Sequence, residues 1–167
     1  AEAVSKETWI KEGCWYDVIN YDLTKDYSIN GKQTVVCGSN GNWEKIMFCM
    51  KEGVLPKNEN EIAVSENCRR QFSKEIGDTV SLVTPAGSYE YVISGIVKDG
   101  SMLQEYDATG VFVSMESFEK IVKENGESMQ PVYFIQFGNT WTIRKTIDKL
   151  MDRHSWNSSV VSENTAM

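Results

Sequence analysis

The stretch KEGVLPKNENEIAVSENCRRQFSKEIGDTVSL, residues 51–82, shows the order of turns and apolar runs in this chain most clearly. Gly53 and Pro56 predict a turn, because glycine and proline favour the backbone conformations that turns require. The run EIAVS at 61–65 predicts a strand, and Gly77 predicts a second turn. No catalytic motif occurs in the stretch, so its regular pattern indicates a structural role.

The second half of the stretch predicts a short helix followed by a hairpin. Ser65 can cap that helix, because its hydroxyl can accept a hydrogen bond from a free backbone N–H. The runs 79–83 and 89–97 alternate apolar and polar residues, which predicts two strands with one buried face each. The side chains expected to be buried are Cys68 and Phe72 on the helix and Val80, Leu82, Tyr91 and Ile93 on the strands.

Upstream of the stretch, the sequence predicts a hairpin and a helix. Residues 14–23 and 33–38 are rich in β-branched and aromatic residues, and Asn30-Gly31 between them is a turn signal. Residues 43–50 place apolar side chains at helical spacing, and Gly53 is positioned to end that helix. These apolar residues are Trp43, Ile46, Met47 and Met50.

Downstream, strands and helices alternate over residues 110–162. The predicted strands are 110–114, 132–137 and 158–162. Ser114 is expected to cap the first helix, with Glu116 in its first turn, where a negative charge suits the helix dipole. The apolar faces of the two helices are Phe118, Ile121 and Val122 for the first, and Ile143, Ile147, Leu150 and Met151 for the second, which starts at Asn139 or Thr140.

These elements together predict an α+β protein. We expect a βαβ-type layer built from both chain ends, with a β-rich insertion between them. The boundaries are residues 1–53 and 110–167 for the α+β subdomain and 54–109 for the inserted subdomain.

Composition excludes several classes of function. The chain has 167 residues and a net charge of −7, and no basic stripe is visible, which argues against nucleic-acid binding. No apolar run reaches the roughly 18 residues that span a bilayer. Four cysteines, at 14, 37, 49 and 68, lack the spacing of a zinc or thioredoxin site. They are either buried free thiols or members of one or two disulfides.

The chain lacks recognisable catalytic motifs. It has no GxSxG, GxxxxGK[ST], HExxH or GxGxxG pattern. His154 is the single histidine, and we interpret it as a solvated residue in the last turn of a helix. Asp17, Asp22 and Asp26 do not match a calcium loop and are interpreted as surface carboxylates. We therefore predict no catalytic residue, no cofactor and no metal.

The ordered motifs of this chain resemble the extracytoplasmic domain of FtsX-like and MacB-like ABC transporter permeases. The resemblance covers roughly residues 13–164. Two features depart from it: the region 21–41 is shorter than in many relatives, and four cysteines are more than expected. The residues that carry it are Gly13-Cys14-Trp15, the turn Lys51 to Pro56, the strand Asn60 to Ser65, the segment Ile76 to Leu82, the strand Tyr91 to Ile96, and Asn164 near the end.

The resemblance implies a MacB-like periplasmic core that is not an enzyme and that couples ATPase-driven movement of membrane helices to an extracellular substrate or partner. That partner would be a peptide antibiotic, a lipoprotein or a cell-wall hydrolase. It implies a cell-membrane location, with this domain on the extracytoplasmic side between flanking membrane helices. It also implies a second permease copy and a cytoplasmic ABC ATPase subunit as partners.

The predicted partner-binding surface is the loop at 98–110. Met102, Leu103 and Tyr106 are apolar residues within this otherwise polar loop, which suits a contact surface. The alternative is that these three side chains fold back onto the core. Two other functions remain open: a secreted or lipid-anchored binding module, and a cell-wall hydrolase with two close carboxylates in a cleft.

Overall fold

The computed structural model describes residues 10–19, 24–41, 50–98, 109–128 and 130–137. Within these residues it is a mixed α+β fold in which two helices accompany one nine-stranded sheet. The strands are β1 (Ile10–Ile19), β2 (Ser28–Ile29), β3 (Lys32–Gly41), β4 (Met50–Gly53), β5 (Glu61–Ser65), β6 (Thr79–Thr84), β7 (Gly87–Val97), β8 (Thr109–Ser114) and β9 (Gln130–Phe137). The helices are α1 (Glu66–Phe72) and α2 (Met115–Asn125).

The strand order is β2-β6-β7-β5-β8-β3-β1-β9, with β4 paired to β7. A further pairing of β2 with β3 joins the first strand of this order to the sixth, which gives a closed circuit of six strands. Strands β3 and β8 run parallel, as do β5 and β7, and the other pairs are antiparallel. Of the two predicted subdomain boundaries, 53–54 lies at the end of β4 and 109–110 lies within β8.

Three central strands are buried on both faces, and this explains their uninterrupted apolar runs. Consecutive residues of β3, β5 and β8 are all buried: 35–37, 62–64 and 111–113. One face of these strands joins the hydrophobic core with α2 and the hairpin β6–β7. The core cluster includes Tyr27, Ile29, Val36, Ile62, Val64, Leu82, Tyr91, Ile93, Val111, Val113, Phe118 and Ile121.

Local sequence signals place most of these elements where they were predicted. Asn30 and Gly31 both have positive φ, 50° and 77°, as the tightest hairpin turns require, and they connect β2 to β3. The Ser65 hydroxyl accepts a hydrogen bond from Cys68 N at 3.1 Å, and the Ser114 hydroxyl accepts one from Ser117 N at 3.2 Å. Both predicted helix caps are thus confirmed.

One element was predicted wrongly. Met50 and Gly53 were expected to end a helix, whereas the structure places them in β4, which pairs with β7. The physical reason is the close approach of two glycines: Gly53 pairs with Gly95, and neither has a side chain to separate the strands. The rest of that predicted helix, including Trp43, Ile46 and Met47, lies outside the described residues.

Candidate functional site

The predicted contact residues Met102, Leu103 and Tyr106 lie outside the described residues. The structure does describe the two strands that their loop connects. β7 ends at Val97 and β8 begins at Thr109. The position of the loop on the fold therefore follows from where these two strand ends lie.

Both strand ends flank the C-terminal end of β5. Ser65 pairs with Val97 on one side, and Val64 pairs with Val111 on the other. Because neighbouring strands lie about 4.8 Å apart, the two ends of the loop are separated by roughly 10 Å. The loop at 99–108 thus leaves and re-enters the sheet at one edge, with β5 between its ends.

The same edge carries the start of β4 and the start of α1, which ion pairs tie together. Lys51 of β4 forms an ion pair with Glu66 of α1. Arg69 of α1 binds Glu52 at 2.8 Å and Glu75 at 2.5 Å, and these hydrogen bonds raise its pKa. The Arg69 guanidinium is thus bound by two carboxylates. It links β4, α1 and the turn that follows α1.

The polar residues of the opening stretch also have structural partners. Glu61 accepts hydrogen bonds from Lys57 N at 2.9 Å and Asn58 N at 3.1 Å, and from the Asn58 side chain at 2.8 Å. Asp78 accepts one from Glu75 N at 2.8 Å. The carboxylates of the Asn-Glu-Ile and Ile-Gly-Asp motifs therefore close turns.

The described carboxylates give little support to acid–base chemistry. The bonds from Lys57 and Asn58 lower the pKa of Glu61, the opposite direction from that of a general acid. The Glu127 side chain is only 6% exposed, but it pairs with Lys25 and accepts a hydrogen bond from the Tyr27 hydroxyl at 3.1 Å. Within the described ranges, no three His, Cys, Asp or Glu side chains are grouped to hold a metal ion.

The thiol state of two of the four cysteines can be assigned. Cys37 and Cys68 are both buried and carry free thiols. Burial raises the pKa of Cys37 well above its ordinary value and that of Cys68 to about 12. Thiolates form readily at low pKa, so these two residues fit packing rather than nucleophilic chemistry.

Other residues weighed in the sequence cannot be placed as a site. Asp26 is exposed just before β2. The Asp17 side chain, Asp22 and His154 lie outside the described part of the structure.

Sequence reasoning missed three exposed apolar side chains on and beside β7, those of Val54, Ile76 and Val92, which we call the apolar patch. Their exposed fractions are 50%, 43% and 38%. Val54 N donates to Ser94 O at 3.0 Å, and Gly77, next to Ile76, donates to Ile93 O at 2.9 Å. The patch therefore surrounds the middle of β7. Val92, which alternates with the buried Tyr91 and Ile93, was the one signal that could have indicated it.

Two solved structures share this architecture. Over 93% of this chain and 72% of the other, the fold matches the periplasmic region of MacB from Actinobacillus actinomycetemcomitans, with a TM-score of 0.59 and 14% identity. It also matches a domain of a candidate permease from Porphyromonas gingivalis, over 92% and 75% of the two chains, with a TM-score of 0.54 and 12% identity. The predicted α+β class and the predicted likeness to the MacB periplasmic fold are thereby confirmed.

Sequence comparison adds nothing to this assignment, since no family model and no curated protein matches the chain. Neither α1 nor α2, the helices of the described ranges, is long and apolar enough to cross a bilayer.

Proposed function

We propose that this chain is the extracytoplasmic domain of an ABC transporter permease of the FtsX and MacB type. The observation that carries the proposal is the shared fold over more than nine-tenths of this chain with two permease-type domains. The domain is non-enzymatic. It couples ATPase-driven movement of membrane helices to the binding of an extracellular substrate or partner.

The proposed assembly places this domain between flanking membrane helices, with a second permease copy and a cytoplasmic ABC ATPase subunit. The division into an α+β part, residues 1–53 and 110–167, and an inserted β-rich part, residues 54–109, belongs to the same proposal. The βαβ-type layer is assigned to the α+β part. Support comes from the pairings of β3 with β8 and β1 and of β1 with β9, which make β8 and β9 parallel strands on either side of α2 in the sequence.

The proposed partner contact is the loop that carries Met102, Leu103 and Tyr106. Its two ends are held by β5, so a force on the loop acts directly on a strand that is buried on both faces. Apolar side chains on an anchored loop suit the recognition of a peptide or protein. The extracellular partner is therefore a polypeptide with apolar side chains.

The test uses the complete gene product rather than this domain alone. Affinity purification from membranes should retain an ATPase subunit, and ATP hydrolysis in lipid nanodiscs should depend on both proteins. In a matched pair of variants, serine replaces Met102, Leu103 and Tyr106 in one, and Val54, Ile76 and Val92 in the other. The loop variant should assemble but lose partner-dependent stimulation, while the patch variant keeps it.

Two results would contradict the proposal. One is a complete gene without apolar membrane segments on both sides of this domain. The other is a full-length protein that purifies without any ATPase. A leader sequence followed by this domain alone would favour the secreted or lipid-anchored binding module.

A further inference from the structure

Helix α2 has two faces with different chemistry. Phe118, Ile121 and Val122 are buried against the sheet. Ser117, Lys120 and Glu124 lie at positions i, i+3 and i+7, so they share a second stripe along the helix. We call these three residues the polar stripe of α2.

The polar stripe reaches the β6–β7 hairpin through two tyrosines. The Ser117 and Tyr91 hydroxyls share a buried hydrogen bond of 2.5 Å. About two turns further along α2, Glu124 accepts a hydrogen bond from the Tyr89 hydroxyl. Tyr89 and Tyr91 are two residues apart, so their side chains lie on the same face of β7. This face of the strand therefore contacts the polar stripe of α2.

Two further contacts hold α2, one in the middle of the stripe and one at the end of the helix. Lys120 forms an ion pair with Glu59, in the turn before β5, at 2.6 Å. Asn125, next to the stripe at the end of α2, accepts a hydrogen bond from Ala86 N at 2.8 Å. Ala86 is in the turn of the hairpin, so the helix holds the hairpin at its turn as well as along β7.

The half of the hairpin nearest its turn, residues 84–91, needs this support. β7 pairs with β5 only from Val92 to Val97. In the described ranges, β6 gains a second partner strand only at Leu82 and Val83, which pair with β2. Residues 84–87 and 90–91 are therefore paired only within the hairpin, whereas Ser88 and Tyr89 pair with Val83 and Leu82, which β2 also joins. We call residues 84–91 the hairpin tip; where it is a ribbon of two strands, it is marginally stable without a packing partner.

We propose that the polar stripe of α2 holds the hairpin tip against the sheet, so that the tip and the sheet unfold together. Without the stripe, the tip would open separately while the sheet stayed folded. This inference goes beyond the proposed function and stands without it. For any partner that docks on the hairpin, it means that force on the tip reaches the sheet through α2.

The experiment is amide hydrogen exchange, read by mass spectrometry, on the 167-residue chain and on the double variant Ser117→Ala, Glu124→Gln. Alanine and glutamine both suit helices, so α2 itself keeps its stability. The Ser114 cap also remains, because it binds the backbone of residue 117. Losing the hydrogen bond between Ser117 and Tyr91, and replacing the charged acceptor of the Tyr89 hydroxyl by a neutral amide oxygen, should raise the exchange rate of amides 84–91 by roughly tenfold, with little change in β3 and β8.

The matched control is Glu119→Gln, which makes the same acid-to-amide change on the exposed side of α2. This control should leave exchange of the tip unchanged. If the double variant does not fold, as judged by circular dichroism, Glu124→Gln alone is compared with the control. Unchanged exchange at 84–91 would overturn the inference, and so would equal acceleration in the tip and the sheet.

Discussion

Gly38 of β3 lies directly beneath Phe118 of α2. A Cβ built on Gly38 would stand 2.5 Å from Cγ of Phe118 and 2.7 Å from its Cβ. Real Cβ atoms do not approach other carbons this closely, so the helix can rest on the sheet here only because residue 38 lacks a side chain. Phe118 is fully buried, and the absence of the Gly38 side chain makes its position possible.

Replacing Gly38 with alanine should therefore lift α2 from the sheet. We expect the variant to lose about 1–3 kcal/mol of unfolding free energy, the usual cost of overpacking a core. Urea unfolding followed by circular dichroism measures this loss. Adding Phe118→Leu should recover part of it, because the smaller side chain makes room for the new methyl group. Strictly additive losses in the two variants would contradict the proposed contact.

The two turn glycines of residues 51–82 have different constraints and should respond differently to alanine. Both have positive φ, 72° at Gly53 and 94° at Gly77. A Cβ on Gly77 would meet nothing within 4 Å, whereas one on Gly53 would lie 2.8 Å from Gly95 Cα and 2.9 Å from Ile76 Cδ1. Gly77→Ala therefore measures backbone strain alone, and Gly53→Ala measures strain together with crowding.

We expect Gly77→Ala to cost about 1 kcal/mol, from the strain of a left-handed conformation. Gly53→Ala should cost roughly 1–3 kcal/mol more, because β4 must move away from β7. Thermal and urea unfolding of both variants give the comparison. Equal losses would mean that the Gly53–Gly95 approach does not limit the packing of β4.

Most of the described fold could be predicted from local signals. The strands at 61–65, 79–84 and 87–97 alternate or run apolar, and the caps at Ser65 and Ser114 mark both helices. The exception is Met50, whose helical spacing predicts the wrong element. β4 has only four residues and depends on the contact of Gly53 with Gly95, more than 40 positions away. Such a contact leaves no signal in the local sequence.

The candidate site was harder to predict than the fold. Apolar residues in a polar loop can be recognised from sequence, and that was the basis for choosing Met102, Leu103 and Tyr106. The position of β5 between the two ends of the loop 98–110 follows from the strand order, and the sequence alone does not give that order. The roles of Glu61 and Asp78 in closing turns also depend on distances between backbone atoms and carboxylates.

Acid should weaken the turn that Glu61 closes. Its pKa lies below the ordinary value of 4.5 because the Lys57 backbone, the Asn58 side chain and the Asn58 backbone donate to it. A lowered pKa means that the stabilisation is complete above about pH 4.5 and is lost as the pH falls through the folded-state value. Glu61→Gln should be less stable than the unmodified chain at pH 7, and the difference should shrink as the pH falls through the folded-state pKa.

The control for this prediction is Glu90→Gln, which removes the same charge from an exposed position on β7. Its stability should follow that of the unmodified chain at every pH. The measurement is urea unfolding at intervals between about pH 3 and pH 7. A constant difference between Glu61→Gln and the unmodified chain across this range would show that the carboxylate charge plays no part.

Alkali should weaken the contact between the tyrosines and α2. Burial raises the pKa of Tyr27, Tyr89 and Tyr91 above the ordinary value of 10.0, and for Tyr89 the Glu124 carboxylate adds to burial and brings it to about 12. The folded protein therefore holds these protons more tightly than the unfolded chain does. The corresponding stability is complete below pH 10 and is lost as the pH rises through the folded-state values.

Ultraviolet absorbance should show this as a late step of tyrosine ionisation, above pH 10. Tyr27, Tyr89 and Tyr91 should ionise late, and together with unfolding. Tyr89→Phe keeps the ring on the hairpin but removes the ionisable hydroxyl, so its stability should fall less steeply between about pH 10 and pH 12 than that of the unmodified chain. Lysines also titrate in this range, but they are common to both proteins and cancel in the comparison. If all seven tyrosines ionised together near pH 10 while the protein stayed folded, the burial of these three hydroxyls would be wrong.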